Sequence, residues 1–287
     1  MRSLHLWVCA AAYALGVGTA YARCDLEPGP VRSVARVIDG ETLALDDGAE
    51  VRLIGALAPR AMDVGADPSQ WAPETAAFQA LSALVLGQSV RLGFGGERTD
   101  RYGRLLAQVF LDGGGDKAWI QGQMLATGHA RAYAISGNRA CQTELLAHER
   151  VARDGGLGLW QNAAYQIRRA VPPWPLNAYR GTFQIVDGAV TRASEGRDAS
   201  YLNFGDTRID DTGRTPRRAF SVNIKRADRD VLGDVGGAVK TLEGARLEVR
   251  GWIESKSGPS IDVSMAGLIA RSPGRAGDTA QQNARPD

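Results

Sequence analysis

Three short apolar stretches lie close together near the start of the chain, at residues 34–38, 42–45 and 50–54. Asp39-Gly40 closes the first and Asp46-Asp47-Gly48 the second. Asp and Gly adopt turn geometries that other residues resist, so the stretches are expected to fold as successive hairpin strands. In Glu50-Val51-Arg52-Leu53-Ile54, polar and apolar residues alternate, as on a half-buried strand. An isolated hairpin of this size cannot bury enough surface to be stable. The strands must curl and recruit others, and residues 89–94 and 105–111 supply two more. Three helices are expected around them. Pro73 can occupy the first position of a helix over residues 74–86, with Phe78, Leu81, Leu84 and Val85 on one face and Gly87 as its stop. Residues 118–127, ended by Gly128, and 141–153, ended by Gly155-Gly156, read as the other two. The expectation for residues 31–160 is a closed five-stranded barrel flanked by three helices.

Ala170-Val171-Pro172-Pro173-Trp174-Pro175 marks a stiff linker, placed over residues 161–178. Residues 179–270 are strand-rich. Strands are expected at residues 181–186, 200–203, 219–224, 246–254 and 260–265, with a short helix near 228–232. Five strands with Gly-rich turns fit a second small barrel of OB type. The whole chain is therefore expected to be mainly β with α (α+β): an OB-type five-stranded barrel with three helices, then a second small OB-like β-barrel. Residues 271–287 are polar and without periodicity, and are expected to form a disordered tail.

The first 22 residues read as a secretory signal peptide. Arg2 precedes an apolar run over residues 4–17, and Ala20-Tyr21-Ala22 is a small-x-small cleavage site. The run is too short to span a bilayer, and Tyr21-Ala22-Arg23 before Cys24 does not resemble a lipoprotein box. Cleavage near Ala22 and a periplasmic or secreted destination follow as expectations, with no membrane span. Cys9 would leave with the signal peptide. Cys24 and Cys141 would remain in an oxidising compartment and are expected to form a disulfide.

At 44% hydrophobic and 23% charged residues, the chain has the composition of a globular protein. A net charge of only +2 excludes a strongly basic nucleic-acid clamp as the reading of the whole chain. The basic excess falls in the second half, partly at Arg214, Arg217, Arg218, Lys225, Arg226 and Arg229. These could track a phosphate backbone, or form a solvated face balanced by Asp210, Asp211, Asp228 and Asp230.

Two segments carry a resemblance. One is Val37-Ile38-Asp39-Gly40-Glu41-Thr42 with Val51-Arg52-Leu53-Ile54-Gly55-Ala56-Leu57-Ala58-Pro59. The other is Arg98-Thr99-Asp100-Arg101-Tyr102-Gly103-Arg104. Together, in this order and at this separation, they resemble the staphylococcal-nuclease (thermonuclease) family over about 130 residues. The resemblance implies a Ca²⁺ ion held by carboxylates, a glutamate that activates water, and two arginines that bind phosphate and neutralise the transition state. Arg52 and Arg104 match the phosphate arginines. Glu41 matches the first metal carboxylate and Asp39 its supporting acid. Tyr102 and Tyr133 match aromatics that flank a bound nucleotide. The pattern then breaks. Leu57 stands in place of the second metal carboxylate, Ala58 in place of a threonine, and Arg60 in place of the catalytic glutamate.

Loss of a general base costs about 10²–10⁴-fold in rate. One carboxylate holds a hard cation weakly, and Arg60 adds positive potential where the cation would sit. Asp63 is a candidate displaced base. Arg104 could instead pair with Asp100 within its turn, and Arg52 with Glu41 across strands. His129 reads as a packing residue, and His148 beside Glu149 as part of a solvated helix face. In the second half, Tyr201-Leu202-Asn203-Phe204-Gly205-Asp206 and Val249-Arg250-Gly251-Trp252-Ile253 resemble an accessory OB-like domain of exported nuclease-like proteins. Tyr201, Phe204 and Trp252 could stack on bases or pack as core. The expectation is an exported thermonuclease-like protein with a degraded phosphodiesterase site, weak or no nuclease activity and no cofactor. Its role would be structural or in binding single-stranded nucleic acid or another anion. The alternative is an active Ca²⁺-dependent endo- or exonuclease.

Overall fold

The computed structural model describes residues 24–115, 118–135, 137–205, 219–255, 258–264 and 268–272. The expected signal peptide, all but the first two residues of the expected tail, and Arg214, Arg217 and Arg218 lie outside them. No helix among the described residues is long and apolar enough to cross a membrane.

The hairpin-forming segments become β1 (Glu27–Asp39), β2 (Thr42–Leu45) and β3 (Glu50–Leu53). A two-residue strand β4 (Ala56–Leu57) follows, then helix α1 (Ala72–Val85), β5 (Ser89–Phe94) and β6 (Leu105–Leu111). Helix α2 (Ile120–Ala126), strand β7 (Arg131–Ala132) and helix α3 (Gln142–Asp154) complete this first unit. The barrel closes in the order β1-β2-β3-β6-β5. Strand alternation decides its inside. Leu43, Leu45, Val51, Leu53, Ala107 and Val109 are buried in one core with Leu81 and Val85 of α1. Arg52 lies between Val51 and Leu53 and so points outward.

β1 begins well before the strand expected at residues 34–38. Its first part pairs with β5, from Glu27↔Phe94 to Ser33↔Ser89, with a register shift between Pro28 and Val31. Pro28 and Pro30 hide that pairing from a propensity reading, because proline donates no ladder hydrogen bond. Cys24 and Cys141 form the expected disulfide, with Cα atoms 4.9 Å apart. It ties the segment before β1 to the residue that precedes α3.

The second unit comprises β8 (Arg168–Arg169), β9 (Phe183–Ala189), β10 (Arg192–Glu195), β11 (Ala199–Phe204), β12 (Phe220–Lys225), β13 (Arg246–Trp252), β14 (Glu254–Ser255), β15 (Pro259–Asp262) and β16 (Ile269–Arg271). The expected second barrel takes the form of two sheets, ordered β10-β11-β12-β15-β14 and β16-β13-β9-β8. They share one apolar core that includes Leu202, Phe204, Phe220, Val222, Leu247, Val249 and Ile261. The sheets meet where a β-carbon at Gly251 would lie 2.5 Å from Ile261 Cγ2. The helix expected near 228–232 is a run of 3₁₀ turns over Arg226–Val235.

The stretch expected as a linker is packed, which corrects that reading. β8 pairs in parallel with β9, and Tyr165, Ala170 and Leu176 are buried. The prolines stiffen the chain, but the apolar residues among them have cores to enter. A further apolar cluster joins the two units. It combines Ile54, Leu57, Leu106, Tyr133, Ala152 and Trp160 of the first with Phe183 and Ile185 of the second.

Candidate functional site

Glu41 enters the site from the turn between β1 and β2. Asp39 Oδ1 accepts the Glu41 backbone N–H at 2.8 Å. Only glycine fits between them, because a β-carbon at Gly40 would lie 2.8 Å from Ala58 Cβ and 2.9 Å from Ala77 Cβ. The turn is thereby pressed against α1, and the Glu41 side chain is carried inside.

There its carboxylate is fully engaged. Oε2 accepts the Ala58 N–H at 2.9 Å. Oε1 accepts from Arg60 Nη2 and lies 3.0 Å from Arg52 Nη2 in an ion pair. Glu41 is 1% exposed. Burial pushes its carboxyl above the ordinary range, while Arg52, Arg60 and the Ala58 N–H act against that shift. For Arg60, burial is the largest influence and lowers the pKa, but Glu41, Asp39 and Asp63 outweigh it and the net shift is upward. Burial likewise raises the Asp63 carboxyl, against the pull of Arg60 and Arg131.

Arg104 follows the pairing legible within its turn. Its Nε donates to Asp100 Oδ2 at 2.8 Å, and its Nη2 lies 2.7 Å from the same oxygen. Burial acts to raise Asp100, but these bonds and the Tyr102 and Arg104 backbone N–H groups hold it below its usual range. Tyr102 is 67% exposed, with the Arg101 and Arg104 guanidinium carbons 4.8 and 5.5 Å from its ring centre.

Tyr133 differs sharply from Tyr102. It is fully buried, 5.7 Å from the Arg52 guanidinium carbon and edge-on to Trp252 of β13 at 6.3 Å. Its hydroxyl has no hydrogen-bond partner among the described residues, and burial pushes its pKa up to about 12. Arg52, Glu41, Arg60 and Arg104 all act on it electrostatically, which brings the expected site residues into one neighbourhood. Thr42 Oγ1 and Arg52 Nε, also buried on this face, have no partner among the described residues. Thr42 and Arg52 are directly opposite on β2 and β3.

Leu57 and Ala58 are both buried. Leu57 packs into the apolar cluster shared by the units. Ala58 contributes its backbone N–H.

One group of site-adjacent residues was not anticipated. Glu149, for which no role was expected, is 1% exposed. Its Oε1 accepts the Ala132 N–H at 3.0 Å, and its Oε2 lies 2.5 Å from Arg250 Nη1. Arg250 also pairs with Glu248 at 2.8 Å, and Arg153 of α3 meets Glu248 at 2.6 Å. The network fastens β13 to β7 immediately before Tyr133. The available signal was Glu248 and Arg250, opposite charges two residues apart and so on one face of β13. The aromatic readings divide. Phe204 is core, whereas Tyr201 is 42% and Trp252 40% exposed.

The sequence pattern described as "Staphylococcal nuclease homologue" matches residues 50–162. A thermonuclease of Staphylococcus hyicus is 30% identical over 132 residues, covering 45% of this chain and 75% of that protein. An uncharacterized endonuclease of Escherichia coli O157:H7 is 30% identical over 144 residues, covering 49% of this chain and 80% of that protein. The chain belongs to the staphylococcal nuclease homologue family.

That family is generally Ca²⁺-dependent, so the donor set of this member can be tested for fit. Among the described residues, no group of three or more His, Cys, Asp or Glu is placed to hold a metal. A hard cation takes six to eight oxygen ligands. Glu41 already accepts from one guanidinium and one amide and is ion-paired with a second guanidinium, and the adjacent Leu57 and Ala58 offer no side-chain oxygen. The residues present do not fit Ca²⁺.

Proposed function

We propose that this staphylococcal nuclease homologue binds anions without hydrolysing phosphodiesters. The observation that carries this reading is the Arg60–Glu41 ion pair, closed further by Arg52. The Arg60 guanidinium acts as a covalently attached cation in the place where a metal would be needed. It also occupies the sequence position of the water-activating acid. Any divalent ion would have to displace a charge-assisted hydrogen bond inside a buried site, at a cost in free energy that one carboxylate cannot offset.

Affinity for anions rests on the guanidinium groups of Arg52, Arg101 and Arg104 around two tyrosines. Arg52 Nε and the Tyr133 hydroxyl are buried donors without an acceptor, and Tyr102 offers an open ring. A phosphate-class anion, free or as the terminal phosphate of single-stranded nucleic acid, is the ligand this chemistry favours. The disulfide supports export, with the chain working in the periplasm or outside the cell after removal of residues 1–22. Residues 31–160 would act as the nuclease-like domain and 179–270 as its accessory domain.

The test uses the chain from Cys24 onward with denatured DNA, in Ca²⁺ or in EDTA. No metal-dependent cleavage is expected. Binding through its terminal phosphates should weaken steeply with salt, as phosphate contacts do, and Arg52→Ala should weaken it further. Cleavage that disappears on chelation and in Arg104→Ala would establish the alternative, an active Ca²⁺-dependent nuclease.

A further inference from the structure

We propose that the second unit is a fixed cover on the arginine-bearing face of the barrel, and that it restricts the site to a small oxyanion by excluding a polynucleotide strand. The inference rests on the anion-binding reading above and specifies the size of the ligand.

A single strand held without sequence preference needs open aromatic faces on which successive bases stack. Of the two tyrosines beside the arginines, Tyr102 keeps such a face and Tyr133 does not. Tyr133 shares its apolar cluster with Phe183 and Ile185. Trp252 stands edge-on to Tyr133 and packs against Phe183 at 5.0 Å. All three covering residues come from β9 and β13, outside the stretch that matches the family pattern.

The cover is fastened. Arg250 lies between Glu149 of the first unit and Glu248 of the second and donates to the Ala132 carbonyl at 3.3 Å. The buried Arg131 guanidinium lies 4.9 Å from the Tyr165 ring centre and 5.2 Å from that of Phe183. Leu57, in the place of a metal carboxylate, packs into the same cluster. A carboxylate there would be buried among apolar groups, so the cover and the lost metal ligand belong to one arrangement.

On the arginine-bearing face, Thr42 Oγ1, Arg52 Nε and the Tyr133 hydroxyl have no partner among the described residues. All three can donate a hydrogen bond. An oxyanion such as phosphate would supply the acceptors these donors lack, whereas the buried Tyr133 ring offers no open face for a base.

The test compares the wild-type chain with Trp252→Ala. Trp252 is partly exposed, so its truncation opens the edge of the cover without removing the buried core. Binding is measured for inorganic phosphate and for an oligothymidylate with and without a terminal phosphate. The wild type should bind phosphate through Arg52, and oligothymidylate only when it carries the terminal phosphate. Trp252→Ala should raise affinity for the unphosphorylated oligomer about tenfold and leave phosphate binding unchanged. Equal wild-type binding of both oligomers, or no gain in Trp252→Ala, overturns the exclusion.

Nitration by tetranitromethane reports the cover without any ligand. In the wild type Tyr102 should react and Tyr133 should not, and Trp252→Ala should make Tyr133 reactive. A reactive Tyr133 in the wild type overturns the cover. If phosphate fails to bind while nitration follows the expected pattern, the anion-binding reading has failed and the proposed oxyanion restriction falls with it, whereas the cover itself stands.

Discussion

Glu41 is the residue on which the site's charges balance. Its two oxygens satisfy Arg52, Arg60 and the Ala58 N–H. Glu41→Gln keeps the shape but removes the negative charge and leaves two guanidinium groups facing a neutral amide. Both arginines are partly exposed, so water recovers some of the loss. A destabilisation of about 1–3 kcal/mol is expected, read from urea unfolding midpoints. A variant as stable as the wild type would show that the ion pairs contribute nothing net. The pairs Arg52–Glu41 and Arg104–Asp100 were legible in the sequence, because adjacent strands and a tight turn hold partners at short range. Arg60 was legible as an oddity but not as a partner of Glu41. That contact closes across nineteen positions, and only the folded course of β4 and the turn after it creates it.

At the scale of elements, the barrel strands β5 and β6 were legible to the residue, and the three helices to within a few positions. Strong alternation and glycine stops account for this. The N-terminal half of β1 was not legible, because its proline-rich sequence acquires strand geometry only by lying along β5. The helices also carry the pH dependence. His129 follows α2, and His148 of α3 stands edge-on to Trp119 with ring centres 5.3 Å apart. Burial lowers both imidazoles from the usual 6.5. A lowered folded-state pKa means that the unfolded chain takes up protons first. Stability from these groups is therefore present above pH ~6.5 and is lost as pH falls through the lower folded values. Melting temperature should decline between pH 7 and 5, and His148→Gln should flatten that decline. An unchanged slope in the variant would assign the loss to carboxylates instead.

For the whole molecule, the decisive feature is that the two units share buried charge. Arg250 is 5%, Glu149 1% and Glu248 6% exposed. Arg250→Ala would leave the buried Glu149 carboxylate without its cation and should cost about 3–5 kcal/mol. Since the network and the apolar cluster span both units, they should unfold in one transition by calorimetry. Two separated transitions in the wild type would mean that the units are not energetically coupled. The sequence by itself determined the barrel, the disulfide partners and the family. Each depends on residue type and local spacing, which the chain carries wherever it goes. Tertiary structure alone decided that residues 161–178 pack rather than link, that Glu149 is interior, and that Tyr133 is sealed while Tyr102 is open. Those outcomes depend on which surface the second unit removes from water, and apolar periodicity marks a face for burial without naming what will bury it.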